Sequence, residues 1–293
     1  MTFTLAVAQT APRKGDNAAN LNAIAEVIVQ ASQAGADVVL FPESAVSGYV
    51  LEGGVEECAL TPEALAAALS ERMSGLARPI YAVIGHYELA AGRPHNSLTA
   101  VHATPRGVTV NHTYRKFFLP TYGVFDEGRF HAPGNALGRF DLPMHESHVA
   151  CGALICEDVW HSILGSLLAM AGARLVFVAA ATPAREFQES KPRNLLRYEK
   201  MLTALAQEHG MWVAMASLVG FEGGKGLTGG SMIVSPFGEI VAQAPQLEES
   251  LLLAEIDLNQ VTAARMRAPL YSDLRERWRD VLALASQIDP DAE

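Results

Sequence analysis

Apolar residues gather in short dense runs, separated by stretches where they recur every three or four positions. Residues 4–9 and 37–41 are two such runs and predict strands buried on both faces, since no polar alternation interrupts them. Between them Leu21, Ile24, Val27, Ile28 and Ala31 repeat at helical spacing, with Asp16 or Asn17 placed to cap the helix and Gly35 to end it. Strand, helix and strand in that order predict parallel pairing across a helix. Residues 62–73 predict another helix, with Pro62 in its first turn. Residues 80–84, 97–101 and 108–114 predict successive strands at hairpin-like spacing, punctuated by Gly92, Pro94, Pro105 and Gly107.

The second half repeats the alternation. Residues 148–155 predict a buried strand that stops at Cys156; Glu157 and Asp158 follow at once, and a helix runs from about 162 to 172. Strands are predicted at 174–179, 211–217, 231–235 and 251–256, and helices at 194–209 and 259–267. Residues 182–191 read as a polar loop, the tail from 273 as an amphipathic helix, and 289–293 as a loose end. The glycine-rich stretch 220–230 is not a phosphate loop, because Lys225 is followed by Gly226 rather than Ser or Thr; it predicts a hinge or a close backbone approach. The pattern as a whole predicts an α/β fold with hairpins in the middle.

At 293 residues, 49% apolar and 18% charged, the chain has the means to bury a large core, and residues 1–293 are read as one domain. Cys58, Cys151 and Cys156 are odd in number, which argues against a disulfide framework. With no signal peptide at the start, a reducing cytoplasmic setting is expected. No apolar run reaches the ~20 residues of a membrane span. A net charge of −10 and the lack of a Lys/Arg stripe argue against nucleic acid as partner. Arg275, Arg277 and Arg279 alternate with Glu276 and Asp280, as on a solvated helix face. Neither HExxH nor paired CxxC occurs, and His145 with His148 is a weak pair, so no metal is expected. No GxSxG occurs and no GxGxxG follows the first strand, which argues against a serine hydrolase and a dinucleotide cofactor, and no cofactor is expected.

Three reactive groups remain, each leaving a predicted strand. Cys156 occupies a strand-to-helix turn, where side chains point over a sheet end and helix amides favour the thiolate. Glu43 follows Pro42 at a strand's C-terminal end, where open α/β sheets bind ligands. Lys116 leaves the strand 108–114. Each has a plain structural alternative: a buried free cysteine, a carboxylate capping a turn, a surface lysine. The loop 122–130 is rich in aromatic and charged residues, as ligand-holding loops are, the alternative being a surface pair of Glu127 with Arg129. His161 lies close to Cys156 in sequence and is read as capping or covering the next helix. Together the three suit hydrolysis of an amide or nitrile through a thioester. The carboxylate takes the thiol proton, sulfur attacks carbon, and the ammonium stabilises the oxyanion.

These residues sit in motifs that resemble the nitrilase (carbon–nitrogen hydrolase) superfamily over nearly the whole chain. The motifs are Phe41-Pro42-Glu43 with Gly48-Tyr49, Tyr114-Arg115-Lys116 with Leu119-Pro120, the segment ending in Cys156, and Gly229-x-Ser231-x-Ile233-x-x-Pro236-x-Gly238. The resemblance implies a four-layer αββα sandwich, with Glu43 as base and acid, Lys116 as oxyanion support, Cys156 as nucleophile and Glu127 as a second glutamate that positions lysine and substrate. It also implies a homodimer or higher homo-oligomer built through the helices beside the cysteine and the tail from about 270. Residues 122–127 and 156–160 are similar to the glutaminase domain of glutamine-dependent NAD synthetases, although the synthetase's Ser-Gly-Gly-x-Asp loop is absent. The expected activity is release of ammonia from a small amide, with Tyr49, Tyr122, Glu157 and Trp160 lining the substrate pocket. A nitrile or N-carbamoyl substrate and a catalytically silent scaffold stand as alternatives.

Overall fold

The structure, a computed structural model, describes residues 1–49, 51, 53–144, 147–184, 187–188 and 191–289. Two six-stranded sheets lie face to face. The first runs Ser250–Asp257, Thr2–Gln9, Val38–Leu40, Ile80–Ala90, Arg93–Thr104, Gly107–Arg115. The second runs Ile240–Gln243, Met232–Val234, Trp212–Ser217, Leu175–Ala180, Ser147–Ile155, Arg139–Met144. Parallel pairing joins Thr2–Gln9, Val38–Leu40 and Ile80–Ala90 in one sheet, and Ser147–Ile155, Leu175–Ala180 and Trp212–Ser217 in the other.

Alternate side chains of these strands enter different cores, which is why the sequence shows unbroken apolar runs. Leu5, Val7, Leu40 and Val83 meet Ile155, Phe177, Ala214 and Ile233 between the sheets. Ala6, Val39, Phe41 and Ile84 face the helices Asn17–Gln33 and Pro62–Arg72. Val176, Val178, Val213 and Met215 face Ser162–Met170 and Arg193–His209. Helix, sheet, sheet and helix are thus stacked as four layers, the αββα sandwich. Each large apolar side chain buried this way contributes roughly 1.5–3 kcal/mol.

Local signals held at the first helix, where the Asp16 carboxylate accepts from Ala19 N at 3.0 Å. Gly35 follows it with φ +89°. The middle strands run longer than the apolar runs indicate. His86, Glu88 and Asn96 are buried yet polar, so composition hides the continuation. Two edge strands, Arg139–Met144 and Ile240–Gln243, were not expected. Both are partly solvated, and Pro143 is tolerated because edge positions carry fewer ladder bonds. The glycine-rich stretch forms a hairpin, Val219–Glu222 with Lys225–Thr228, and then a close approach: a Cβ on Gly229 would lie 2.5 Å from the Gln9 amide. Leu270–Glu276 and Trp278–Ala285 make the tail two short helices rather than one. His145, residues 290–293 and part of the loop 182–191 lie outside the described residues. No helix among the described residues is long and apolar enough to cross a membrane.

Candidate active site

Four loops at strand ends bring the predicted residues together. After Val38–Leu40 the chain turns through Pro42 into Glu43, crossing directly over the next strand. Only glycine fits beneath it at Gly85, where a Cβ would lie 2.1 Å from the Pro42 carbonyl. Lys116 leaves Gly107–Arg115 with its N–H bonded to Asn96 O at 2.8 Å. Glu127 opens the one-turn helix Glu127–Phe130. Cys156 begins a 3-10 turn, Cys156–Trp160, with φ +47°, a left-handed conformation that side-chain-bearing residues adopt at a cost.

Lys116 is the centre of the cluster and is 0% exposed, so the surface-lysine alternative fails. Its Nζ lies 2.8 Å from Glu43 Oε1 and 2.6 Å from Glu127 Oε1. Asn96 Nδ2 donates to the same Glu43 oxygen at 2.7 Å, and the Tyr49 hydroxyl to the same Glu127 oxygen at 2.6 Å. The second oxygens, Glu43 Oε2 and Glu127 Oε2, are buried without a hydrogen-bond partner among the described residues. Arg129 pairs with Asp126 at 3.7 Å, which corrects the surface-pair reading of Glu127. Three ionisable groups without water cost several kcal/mol each to desolvate, and only their mutual contact offsets that.

The electrostatics divide the labour. Burial raises the Glu43 carboxyl to about 7, with Glu127 adding to the rise while Lys116 and Asn96 oppose it. Burial alone would lower the Lys116 ammonium, but Glu127, Glu43 and Cys156 outweigh it and hold it well above its ordinary value. Burial first, and then Glu43, raise the Cys156 thiol. The short turn does not offset desolvation, so the direction is opposite to the helix-stabilised thiolate expected from the sequence. The thiol partner is the Tyr198 hydroxyl, 3.2 Å from Sγ, not His161. His161 stacks on Phe118 at 3.7 Å between ring centroids and makes no side-chain capping bond.

One further carboxylate joins the Cys156 turn to the lysine loop. Asp158, fully buried, accepts from Ile155 N at 3.0 Å and the Tyr114 hydroxyl at 2.8 Å through Oδ2. Its Oδ1 accepts from Phe117 N at 3.1 Å and Phe118 N at 2.9 Å. Asp158, Asn96 and Tyr198 were missed as members of the cluster. Asp158 had a visible signal, a second acidic residue directly after Cys156-Glu157. Asn96 and Tyr198 had none, because their relevance arises from pairing and packing across the chain.

A cavity of about 160 Å³ opens above Cys156, lined by Tyr122, Glu157, Trp160, Arg193, Arg197 and Tyr198 among others. The Tyr122 hydroxyl donates to Glu157, 3.0 and 2.9 Å from its two oxygens. Three of the four expected pocket residues therefore share one cavity with the thiol. Tyr49 lies instead in a neighbouring hollow with Glu127, its hydroxyl engaged by that carboxylate. Among the described residues no three His, Cys, Asp or Glu side chains gather as metal ligands would.

The sandwich and its strand-end cluster define the class: a nitrilase-type hydrolase fold. The chain belongs to the carbon–nitrogen hydrolase family, whose model matches residues 4–266. It is 29% identical over 289 residues to a glutamine-dependent NAD(+) synthetase of Acinetobacter baylyi, covering 96% of this chain and 49% of that one. The chain spans about half the length of the curated synthetases it matches. It is 32% identical over 272 residues to an (R)-stereoselective amidase of Pseudomonas sp., covering 91% of this chain and 89% of that one. Among solved structures, it is similar to a variant of the amidase from Nesterenkonia sp. AN1 that shows covalent addition of the acetamide moiety of fluoroacetamide at the active site cysteine. The TM-score there is 0.69 at 26% identity, covering 92% of this chain and 96% of that one.

Proposed function

We propose that this carbon–nitrogen hydrolase releases ammonia from a small primary amide through a thioester on Cys156. The observation that carries the reading is the fully buried Lys116, bonded to Glu43 and Glu127 and close enough to Cys156 to feel its charge. Glu43, held near neutrality and with Oε2 uncommitted, takes the thiol proton as sulfur attacks the amide carbon. Lys116 stabilises the oxyanion. Glu43 then returns the proton to the departing nitrogen, which leaves as ammonia while the acyl group stays on sulfur. A water gives its proton to Glu43, attacks the thioester and frees the acid, and sulfur recovers the proton. Glu127 and Tyr49 hold the ammonium in place, Glu127 directly and Tyr49 through it.

Glu157, Arg193 and Arg197 line the same cavity, and both signs of charge there support an amide carrying both an amine and a carboxylate. Glutamine, the nitrogen source in the synthetases' name, is such an amide. The test is ammonia release from glutamine, asparagine, short aliphatic amides, N-carbamoyl amino acids and nitriles, with intact-mass detection of the acyl adduct. Cys156→Ala should abolish release while the protein stays folded. Undiminished turnover in that variant ends the proposal, and preference for nitriles redirects it. The reading takes residues 1–293 as one catalytic domain. Exposed Val281, Leu282 and Leu284 on the tail support the expected homo-oligomer, which sedimentation measures.

A further inference from the structure

The cavity over Cys156 and the hollow beside Glu127 share two walls, Phe125 and Pro183. Phe125 stands between the aromatic residues of both. Its ring is edge-on to Tyr122 of the first cavity, with centroids 5.9 Å apart at 82°. It is also edge-on to Tyr49 of the second, at 6.2 Å and 76°. Edge-to-face contacts on two sides favour one orientation of the ring. The facing wall is fixed as well: Pro183 bridges to Leu227 of the hairpin, and Ala184 N bonds to Gly226 O at 2.7 Å. Beyond the partition the hollow measures about 110 Å³, and Leu51, Val55, Tyr87, Val124 and Phe130 make most of its lining apolar.

We infer that Phe125 is the specificity-determining partition of this site. It confines the acyl group to the cavity over Cys156 and closes off an apolar subsite that would accept an extended alkyl or aryl chain. The inference rests on the reading of Cys156 as nucleophile, since the acyl group is then anchored on one side of the ring. A flat ring standing between the two cavities excludes a chain by overlap, and overlap is costly. Removing it joins the two spaces, and the apolar lining then rewards each added methylene.

The test compares acetamide with hexanamide in the full-length protein, Phe125→Ala and the milder Phe125→Leu. The hexanamide-to-acetamide ratio of kcat/KM should rise roughly tenfold or more in Phe125→Ala, the scale at which a few methylenes are discriminated, and by less in Phe125→Leu. Val124→Trp, which adds bulk to the hollow from an exposed position, should remove the gain when combined with Phe125→Ala. Alkylation of Cys156 by bromoacetamide against α-bromohexanamide, normalised to a free thiol, should shift the same way and needs no turnover. Ratios that match wild type in both variants, by turnover and by alkylation, overturn the partition. A shifted alkylation ratio with no amide hydrolysed by any form keeps the partition and sinks the amidase reading instead.

Discussion

Glu43, just past the strand Val38–Leu40, and Glu88, on the neighbouring strand Ile80–Ala90, are two buried glutamates that behave in opposite ways. Glu88 receives a two-pronged contact from Arg115, Nε to Oε2 at 2.8 Å and NH2 to Oε1 at 2.7 Å, with Ser97 adding a bond at 2.7 Å. Burial pushes its carboxyl up, but these donors more than reverse the push and hold it below its ordinary value. Glu43 has both its donors on one oxygen, a second carboxylate nearby and the other oxygen unpartnered, so burial wins and the carboxyl rises to about 7. Desolvation is common to both. The number of donors per oxygen and the neighbouring negative charge decide whether a buried acid is a fixed anion or a proton carrier.

The largest effect should come from Lys116→Ala, which removes the cation from the poised cluster. Ammonia release should fall by roughly 10²–10³, as for loss of an oxyanion partner. Leaving Glu43 and Glu127 without their cation should cost about 3–5 kcal/mol in denaturant melts. Unchanged stability would mean that the carboxylates do not depend on the lysine. Next is Asp158→Asn, whose amide nitrogen must face an N–H donor on one side. A loss of about 1–3 kcal/mol is expected for each buried group left unsatisfied. Since the bonds hold both the Cys156 turn and the lysine loop, kcat should fall more than KM rises, and an equal loss in binding alone would contradict that link.

The third expectation is a pH profile. Below about 7 Glu43 is protonated and unable to accept from the thiol, so kcat/KM should drop about tenfold per unit on the acid side. Glu43→Gln should erase that limb along with most activity. A limb near the ordinary value of 4.5 would return Glu43 to the class of Glu88. The two acids should also pull stability in opposite directions. Glu43 has a raised folded-state pKa, so its contribution is full below about 4.5 and lost as pH rises through about 7. Glu88 has a lowered one, so its contribution is present above 4.5 and lost as pH falls through the folded value. The smallest effect on chemistry should be that of Glu88→Gln. It weakens bonds worth about 1.5–3 kcal/mol to a charged group, yet turnover per folded molecule should match wild type. A large loss of turnover there would erase the distinction between the two acids.

Much of this was legible residue by residue. Dense apolar runs marked the central strands, Asp16 marked a helix start, and Glu43, Lys116 and Cys156 each stood where a run broke off. Runs report burial, and breaks report strand ends. Polar strand continuations through His86, Glu88 and Asn96 gave no such signal, because their burial depends on partners contributed by other parts of the chain. Edge strands such as Ile240–Gln243 were equally hidden, having too little burial to leave a pattern.

The amino-acid order alone thus set out the alternating α/β plan and the three candidate residues, since these follow from local periodicity and from where it stops. Folding in three dimensions settled the rest: which oxygen faces which nitrogen, that the thiol lies beside the Tyr198 hydroxyl, and that Asp158 ties two distant loops. Charge states depend on desolvation and on contacts between residues as far apart as Glu43 and Lys116, and no local pattern records either.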